Sequence, residues 1–143
     1  MQLIHDHLPS QNSALPKVAL LVERGTLAKR RWRGRAEDGA EFGFDLAHAL
    51  ADGDAFFASE HAVYFLQQLP EPVLEVELGA DAPACARLGW IIGNLHFQIA
   101  IEGPLVRVVD DPAIRQLLDR EHIAFKACHA VFNPLSGGHS HDH

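Results

Sequence analysis

The fold is decided by one stretch of the sequence, residues 71–132, which reads EPVLEVELGADAPACARLGWIIGNLHFQIAIEGPLVRVVDDPAIRQLLDREHIAFKACHAVF. The predicted elements are, in order, a strand over 73–78, a helix beginning near 81, strands over 97–101 and 105–109, a helix beginning near 111 and a strand over 123–132. Asp81 followed by Pro83 predicts the first helix start, because aspartate caps a helix and proline suits its first turn. Asp111 followed by Pro112 repeats this signature at the second helix. The order β, α, β, β, α, β is that of a split βαβ, or ferredoxin-like, domain.

The residues before this stretch predict a domain made of strands. Apolar runs and alternating patterns predict strands over 18–22, 27–36, 40–46, 55–57 and 62–66. Such brief strands at short spacing favour a small β-sandwich or barrel. We therefore expect an α+β chain with three parts, which are an N-terminal β-sandwich or barrel domain over 1–70, a ferredoxin-like domain over 71–134 and a short flexible histidine tail over 135–143.

The overall composition excludes several classes of protein. The formal net charge of −7 argues against a nucleic-acid partner, because phosphate binding needs a basic surface. The two cysteines, Cys85 and Cys128, are far apart in sequence, so a disulfide scaffold is not expected. No apolar run approaches the roughly 20 residues of a membrane span, and the first residues lack the features of a leader peptide. We expect a soluble, cytoplasmic protein with no membrane partner.

Basic residues are concentrated in one short segment of this acidic chain. Seven of the twelve lysines and arginines fall between positions 17 and 35. In a strand the period of two would send Lys29, Arg31, Arg33 and Arg35 to one face and Trp32 to the other. The sequence therefore predicts a cationic face that an acidic protein partner could bind.

Histidines supply the first functional indication, because imidazole is the commonest nitrogen ligand of transition metals. The chain has ten of them, and its last five residues contain His139, His141 and His143. Three imidazoles on a flexible segment could bind one metal ion, although a solvated tail without function has the same composition. His5 and His7 form a second His-x-His pair that could chelate in the same way.

His96 stands where the first helix of the second domain is expected to end. A histidine at this place has a simple structural explanation, because its cationic form interacts well with the negative end of the helix dipole. One imidazole cannot hold a metal ion unless a symmetric dimer brings a second copy to it. Signatures of hydrolases, zinc proteases, kinases and dinucleotide-binding enzymes are missing from the sequence, so an enzyme is not expected.

Residues 88–96, LGWIIGNLH, are similar to the helix ending in Gly-Asn-Arg-His that is found in the urease accessory protein UreE family. The basic segment and Asp-Gly turn over 29–46, the crossing over 70–74 and Phe132-Asn133-Pro134 before the histidine tail resemble the same family. The resemblance covers nearly all of the chain after about residue 18 and implies a nickel-binding metallochaperone that delivers Ni²⁺ for assembly of the urease active site.

The resemblance also implies a site and a set of partners. Nickel would be held by His96 of both subunits of a homodimer, with His139, His141 and His143 as additional ligands. The N-terminal domain would bind a peptide or partner. The partners would be the urease accessory GTPase UreG and the complex of urease apoprotein with its accessory proteins. Zn²⁺ or Cu²⁺ could occupy the same ligands in vitro, since the affinity order places copper above nickel.

The sequence departs from the family pattern at several places, including the unusual helix residues Trp90-Ile91-Ile92 and a short histidine tail. Leu95 stands where the family usually has arginine, and Arg107 stands among valines where some members carry an auxiliary His-x-His pair. An alternative hypothesis stays open, in which the chain is a peptide-binding assembly factor that uses its basic N-terminal strand and binds metal incidentally.

Overall fold

The computed structural model describes residues 1–9 and 14–135. It divides the chain into an N-terminal unit, Met1–Leu69, and a C-terminal unit, Pro70–His143. Strands predominate, with a few helices between them, so the predicted mixed α+β class is confirmed. None of the helices in the described residues has the length and apolar character that a bilayer crossing requires.

The elements of the N-terminal unit are β1 (Gln2–Ile4), β2 (Lys17–Val22), α1 (Arg24–Leu27), β3 (Arg31–Arg35), β4 (Glu41–Asp45), β5 (Ala55–Ala58) and β6 (Val63–Gln68). Within the described residues they form two three-stranded sheets, one in the order β1-β4-β3 and one in the order β2-β6-β5. β1 runs parallel to β4, and β2 runs parallel to β6. The hairpin of β3 and β4 is antiparallel, as its Asp-Gly turn predicts.

The prediction of a strand over 27–36 is wrong in its first part. Residues Arg24–Leu27 form the short helix α1, and Lys29 donates its backbone N–H to the oxygen of Thr26 at 3.0 Å. Leu27 is buried and holds this turn against the core. The strand begins only at Arg31, so Lys29 does not continue the outward row of β3.

The core of the N-terminal unit is built from aromatic rings. Trp32 stacks on Phe44 with ring centroids 3.9 Å apart, and Phe42 meets Phe56 edge to face at 4.9 Å. Trp32 is buried while Arg31 and Arg33 are exposed, which confirms the predicted alternation along β3. The inward face of this strand therefore belongs to the core, and its outward face is free to carry charge.

Gly34 lies on the inward side of β3, where an alanine would not fit. An added Cβ would stand 2.9 Å from Cδ2 of Leu20 and 3.0 Å from Cζ3 of Trp32, and both of these side chains are buried. Gly34→Ala should lower the free energy of unfolding in urea by about 1–3 kcal/mol, because the overpacked core must shift. Gly25→Ala is the control: its Cβ meets nothing within 4 Å, so helix α1 should gain about 0.5–1 kcal/mol. Equal stabilities of the two variants would contradict the described packing.

The elements of the C-terminal unit are β7 (Glu71–Glu77), α2 (Ala82–Asn94), β8 (Ala100–Glu102), β9 (Leu105–Val109), α3 (Pro112–Arg120) and β10 (Lys126–Ala130). The strands form one sheet in the order β10-β7-β9-β8, and each neighbouring pair is antiparallel. Asp81 accepts a hydrogen bond from the N–H of Ala84 at 3.2 Å, and Asp111 accepts one from Ala113 at 2.8 Å. Both predicted helix starts are therefore confirmed.

Side chains of α2 and α3 pack with those of one face of this sheet. The fully buried members of this cluster are Leu74, Ile92, Val108, Ile114 and Leu118. Two strands are shorter than predicted: β8 begins at Ala100 rather than 97, and β10 covers Lys126–Ala130 rather than 123–132. The predicted tail, 135–143, lies outside the described residues except for Leu135, and the roles expected for the three predicted parts stay predictions.

Candidate metal site

His96 lies directly after α2, which ends at its C-cap residue Leu95. Its backbone has a φ of +64°, and its N–H donates to the oxygen of Gly93 at 2.9 Å. This left-handed conformation is the common way to end a helix, and glycine usually adopts it because a side chain is strained there. The bend leaves the imidazole of His96 exposed.

His122 ends α3 in the same way. It has a φ of +56°, its N–H donates to the oxygen of Asp119 at 3.1 Å, and the N–H of Ile123 reaches back to Leu118 at 2.8 Å. The left-handed conformation therefore does not by itself distinguish His96 as a site. What distinguishes His96 must be found in the residues beside it.

The outward face of α2, next to His96, is apolar. Ala86, Trp90 and Gly93 are exposed and lie at helical spacing on one face, and Trp90 keeps 68% of its surface exposed. Leu95 is 41% exposed. Arg87 is the one charged residue in the sequence of this helix, and it faces Glu121 at 3.5 Å. Trp90 and Leu95 therefore place exposed apolar surface beside His96.

The described residues of one copy do not form a complete metal site. Within 1–9 and 14–135, no group of three or more histidine, cysteine, aspartate or glutamate side chains is placed to hold a metal ion. His96 alone can give one imidazole nitrogen, whereas transition metals are commonly held by three or four ligands. His139, His141 and His143 lie outside the described residues. A metal site at His96 therefore needs ligands from the tail or from a second copy of the chain.

The pair His5 and His7 is exposed in the N-terminal unit. Nδ1 of His5 lies 3.0 Å from the carbonyl oxygen of Asp45, and Nδ1 of His7 lies 3.3 Å from that of Leu8. In the tautomer that donates from Nδ1, both rings keep Nε2 as an acceptor. Sequence reasoning identified this pair but not its contacts, which depend on the fold of the unit.

The residues predicted to bind a partner are only partly brought together. Arg31 and Arg33 point outward from β3, whereas Lys29 lies before the strand. Arg31 forms an ion pair with Asp45 across the hairpin at 3.1 Å. Arg33 stands opposite Gly43 in the register of the hairpin. The structure therefore places two of the three cations on one face and gives them different surroundings.

Cys128 is a poor candidate for a metal ligand. Burial, followed by a hydrogen bond to Glu75, raises the pKa of its thiol, so the thiolate form that binds metals is disfavoured. Glu75 is engaged by Arg107 at 2.7 Å, and this bond lowers the pKa of the Glu75 carboxyl. Sequence reasoning missed this network, because the register of β7 and β9 that places Glu75 opposite Arg107 depends on the fold.

Comparisons with known proteins agree on one family. The family model described as "UreE urease accessory protein, C-terminal domain" matches residues 71–143. The chain is 34% identical to urease accessory protein UreE of Chelativorans sp., with 80% of this chain and 75% of that protein covered. It is 29% identical to the UreE of Beijerinckia indica, covering 80% and 70%, and 29% identical to that of Ralstonia nicotianae, covering 100% and 72%.

Proposed function

Because the chain belongs to the urease accessory protein UreE family, we propose that it is a metallochaperone that binds Ni²⁺ and delivers it for assembly of the urease active site. Nickel is its cargo rather than a resident cofactor. The chain is an accessory protein and not an enzyme, as its sequence predicted. One observation carries the proposal: the exposed His96 ends α2 beside an apolar surface, within the residues that match the family model.

The cargo site of the proposed chaperone consists of His96 from each of two copies, with His139, His141 and His143 as additional ligands. Imidazole nitrogens are suitable ligands for nickel, and they release the ion more readily than a closed cage of thiolates does. This donor set fits a protein that must pass its ion on. Zn²⁺ and Cu²⁺ would compete for the same nitrogens in vitro.

The homodimer of this proposal forms through the C-terminal unit. Trp90 and Leu95 are exposed apolar side chains on the same helix end as His96. A twofold contact through this face would cover them and bring the two His96 residues towards one axis. The same contact would thus complete the ligand set of the metal site and cover the exposed apolar face of each copy.

We also propose a ferredoxin-like arrangement for residues 71–134 and a β-sandwich or barrel for 1–70. The strand order β10-β7-β9-β8 supports the former, because it places the first and third strands of the βαββαβ unit in the centre. The two three-stranded sheets that share an aromatic core support the latter. In this division the C-terminal domain binds metal and dimerises, and the N-terminal domain binds a partner.

The partners of the proposed chaperone are the accessory GTPase UreG and the complex of urease apoprotein with its accessory proteins, in the cytoplasm. Lys29, Arg31 and Arg33 are the residues proposed for partner binding. The exposed outward face of β3 also favours a second candidate function, a peptide-binding assembly factor in which metal binding is incidental.

The delivery test uses urease apoprotein in complex with its accessory proteins, with nickel supplied only as a dialysed complex with the chain. Urease activity should appear with the natural chain and stay near the background level with the His96→Ala chain treated in the same way. The control supplies free nickel at the same concentration. It is run with a chelator that binds free nickel but does not remove the ion from the natural chain. Equal activation by the two chains would exclude nickel delivery through His96 and leave the assembly-factor function.

A further inference from the structure

The outward face of the β1-β4-β3 sheet carries a shallow groove beside the arginines of β3. Leu3 on β1 and Arg33 on β3 are both register partners of Gly43 on β4, so the three residues form one row across the sheet. Met1 precedes β1 and also lines this depression, which has a volume of about 390 Å³. We call this feature, made of Met1, Leu3, Gly43 and Arg33, the Arg33 groove.

The missing side chain of Gly43 shapes the groove. A Cβ at this position would stand 3.2 Å from Cδ2 of Leu3 and 3.2 Å from Cε of Met1. The two apolar side chains therefore lean across the glycine, on one side of the groove. Leu3 remains 55% exposed and Met1 65% exposed, so the two side chains offer apolar surface that a ligand could cover.

The other side of the groove is cationic, and only its central cation is open. Along the hairpin, Arg31 pairs with Asp45 at 3.1 Å and Arg35 pairs with Glu41 at 2.5 Å. Between them, Arg33 faces a glycine instead of a carboxylate. No ion pair joins Arg33 to an acidic residue in the part of the chain that the structure describes. A guanidinium in this position can bind an incoming carboxylate through two parallel hydrogen bonds.

We propose that the Arg33 groove binds a partner peptide in which a carboxylate side chain stands next to a large apolar side chain. Arg33 binds the carboxylate, and Met1 and Leu3 cover the apolar side chain over the glycine floor. This inference rests on the partner-binding part of the proposed function. It moves the centre of that site from Lys29, Arg31 and Arg33 together to Arg33 alone, with Met1 and Leu3 beside it.

The test uses fluorescence anisotropy with the full chain and a labelled peptide, Gly-Ser-Glu-Leu-Asp-Phe-Gly-Ser. Arg33→Ala should weaken binding about tenfold or more, because arginine is enriched among residues that dominate interfaces. Arg35→Ala, which removes the same charge from an arginine held by Glu41, should change it less than about twofold. Leu3→Ser should weaken binding about fivefold, and Leu21→Ser, at a 41% exposed leucine of the other sheet, should leave it unchanged.

Two further peptides test the chemistry of the ligand. One replaces the acidic residues with glutamine and asparagine, and the other replaces the leucine and phenylalanine with serine; both should bind at least about fivefold more weakly than the parent. Three results would each overturn the proposal. The parent peptide does not bind; Arg33→Ala and Arg35→Ala weaken its binding equally; or the serine peptide binds as tightly as the parent. The last result would mean general attraction to a basic surface.

Nickel titration of the same variants separates this proposal from nickel delivery. Arg33→Ala and Leu3→Ser should bind nickel as the natural chain does, while His96→Ala should keep its affinity for the peptide. If His96→Ala lost nickel binding and no chain bound the peptide, the proposal for the Arg33 groove would be overturned and the nickel site would be supported. Peptide binding that follows these rules in a chain that binds no nickel would support the groove and exclude the cargo.

Discussion

His96→Ala should remove the tight nickel site of the dimer and weaken the affinity for the first Ni²⁺ by at least about 100-fold. Loss of a residue that only orients a metal ligand typically costs about 10–100-fold in affinity, and loss of the ligand itself should cost more. One substitution removes two imidazoles, since the proposed site takes one from each copy. Isothermal titration with Ni²⁺ at neutral pH measures the affinity and the number of ions per dimer. We expect about one tight ion per dimer in the natural chain.

His122→Ala is the matched control for this prediction. His122 ends a helix with nearly the same backbone conformation as His96, so both alanine variants keep a Cβ in the left-handed region and carry the same backbone strain. It should leave the tight site intact. A chain that ends after Gly138 lacks His139, His141 and His143 and should lose only weaker binding. If His96→Ala and His122→Ala gave the same titration as the natural chain, the proposed site would be wrong.

Trp90→Asp should separate the proposed dimer into monomers and weaken self-association by about 100-fold or more, because buried tryptophans are among the side chains that contribute most to interfaces. A carboxylate at this exposed position would be desolvated in the dimer without a partner. Analytical ultracentrifugation over a range of concentrations measures the change. The tight nickel site should be lost at the same time, although every histidine is retained.

Leu21→Asp gives the corresponding control, because it places the same charge on an exposed apolar residue of the N-terminal unit. This variant should stay dimeric and bind nickel normally. A Trp90→Asp chain that remained dimeric would show that the subunits associate through another face. A monomeric Trp90→Asp chain that kept the tight ion would show that the site does not need the second copy.

The sequence predicted those parts of the fold that depend on interactions between residues close together in the chain. Asp81 and Asp111 cap helices with their own side chains, and the alternation at Trp32 follows from the geometry of a single strand. The strand predicted at Lys29 failed because a turn of helix, held by the buried Leu27, competes with strand over those residues. The contact of Leu3 with Gly43 joins positions 40 residues apart, and no local pattern encodes it.

The candidate site was accessible to sequence reasoning only in part. The position of His96 at a helix end follows from the pattern of residues 88–96, but its left-handed backbone depends on how the chain turns towards β8. The same conformation at His122 shows that the turn itself carries no chemical information. From the sequence alone, a metal site at His96 could be argued only on the condition that a symmetric dimer supplies a second imidazole. The full ligand set followed from the resemblance to a family.

The apolar side chains of Trp90 and Leu95 at the end of α2 would affect how the ion leaves the proposed dimer. Since apolar contacts would hold the two copies together whether or not metal is present, unloading would not require the protomers to part. Incoming donor groups of the acceptor would instead replace the two imidazoles one after the other, with the ion bound to both proteins in between. The speed of the handover would then depend on the acceptor, and the carrier would remain assembled for its next load.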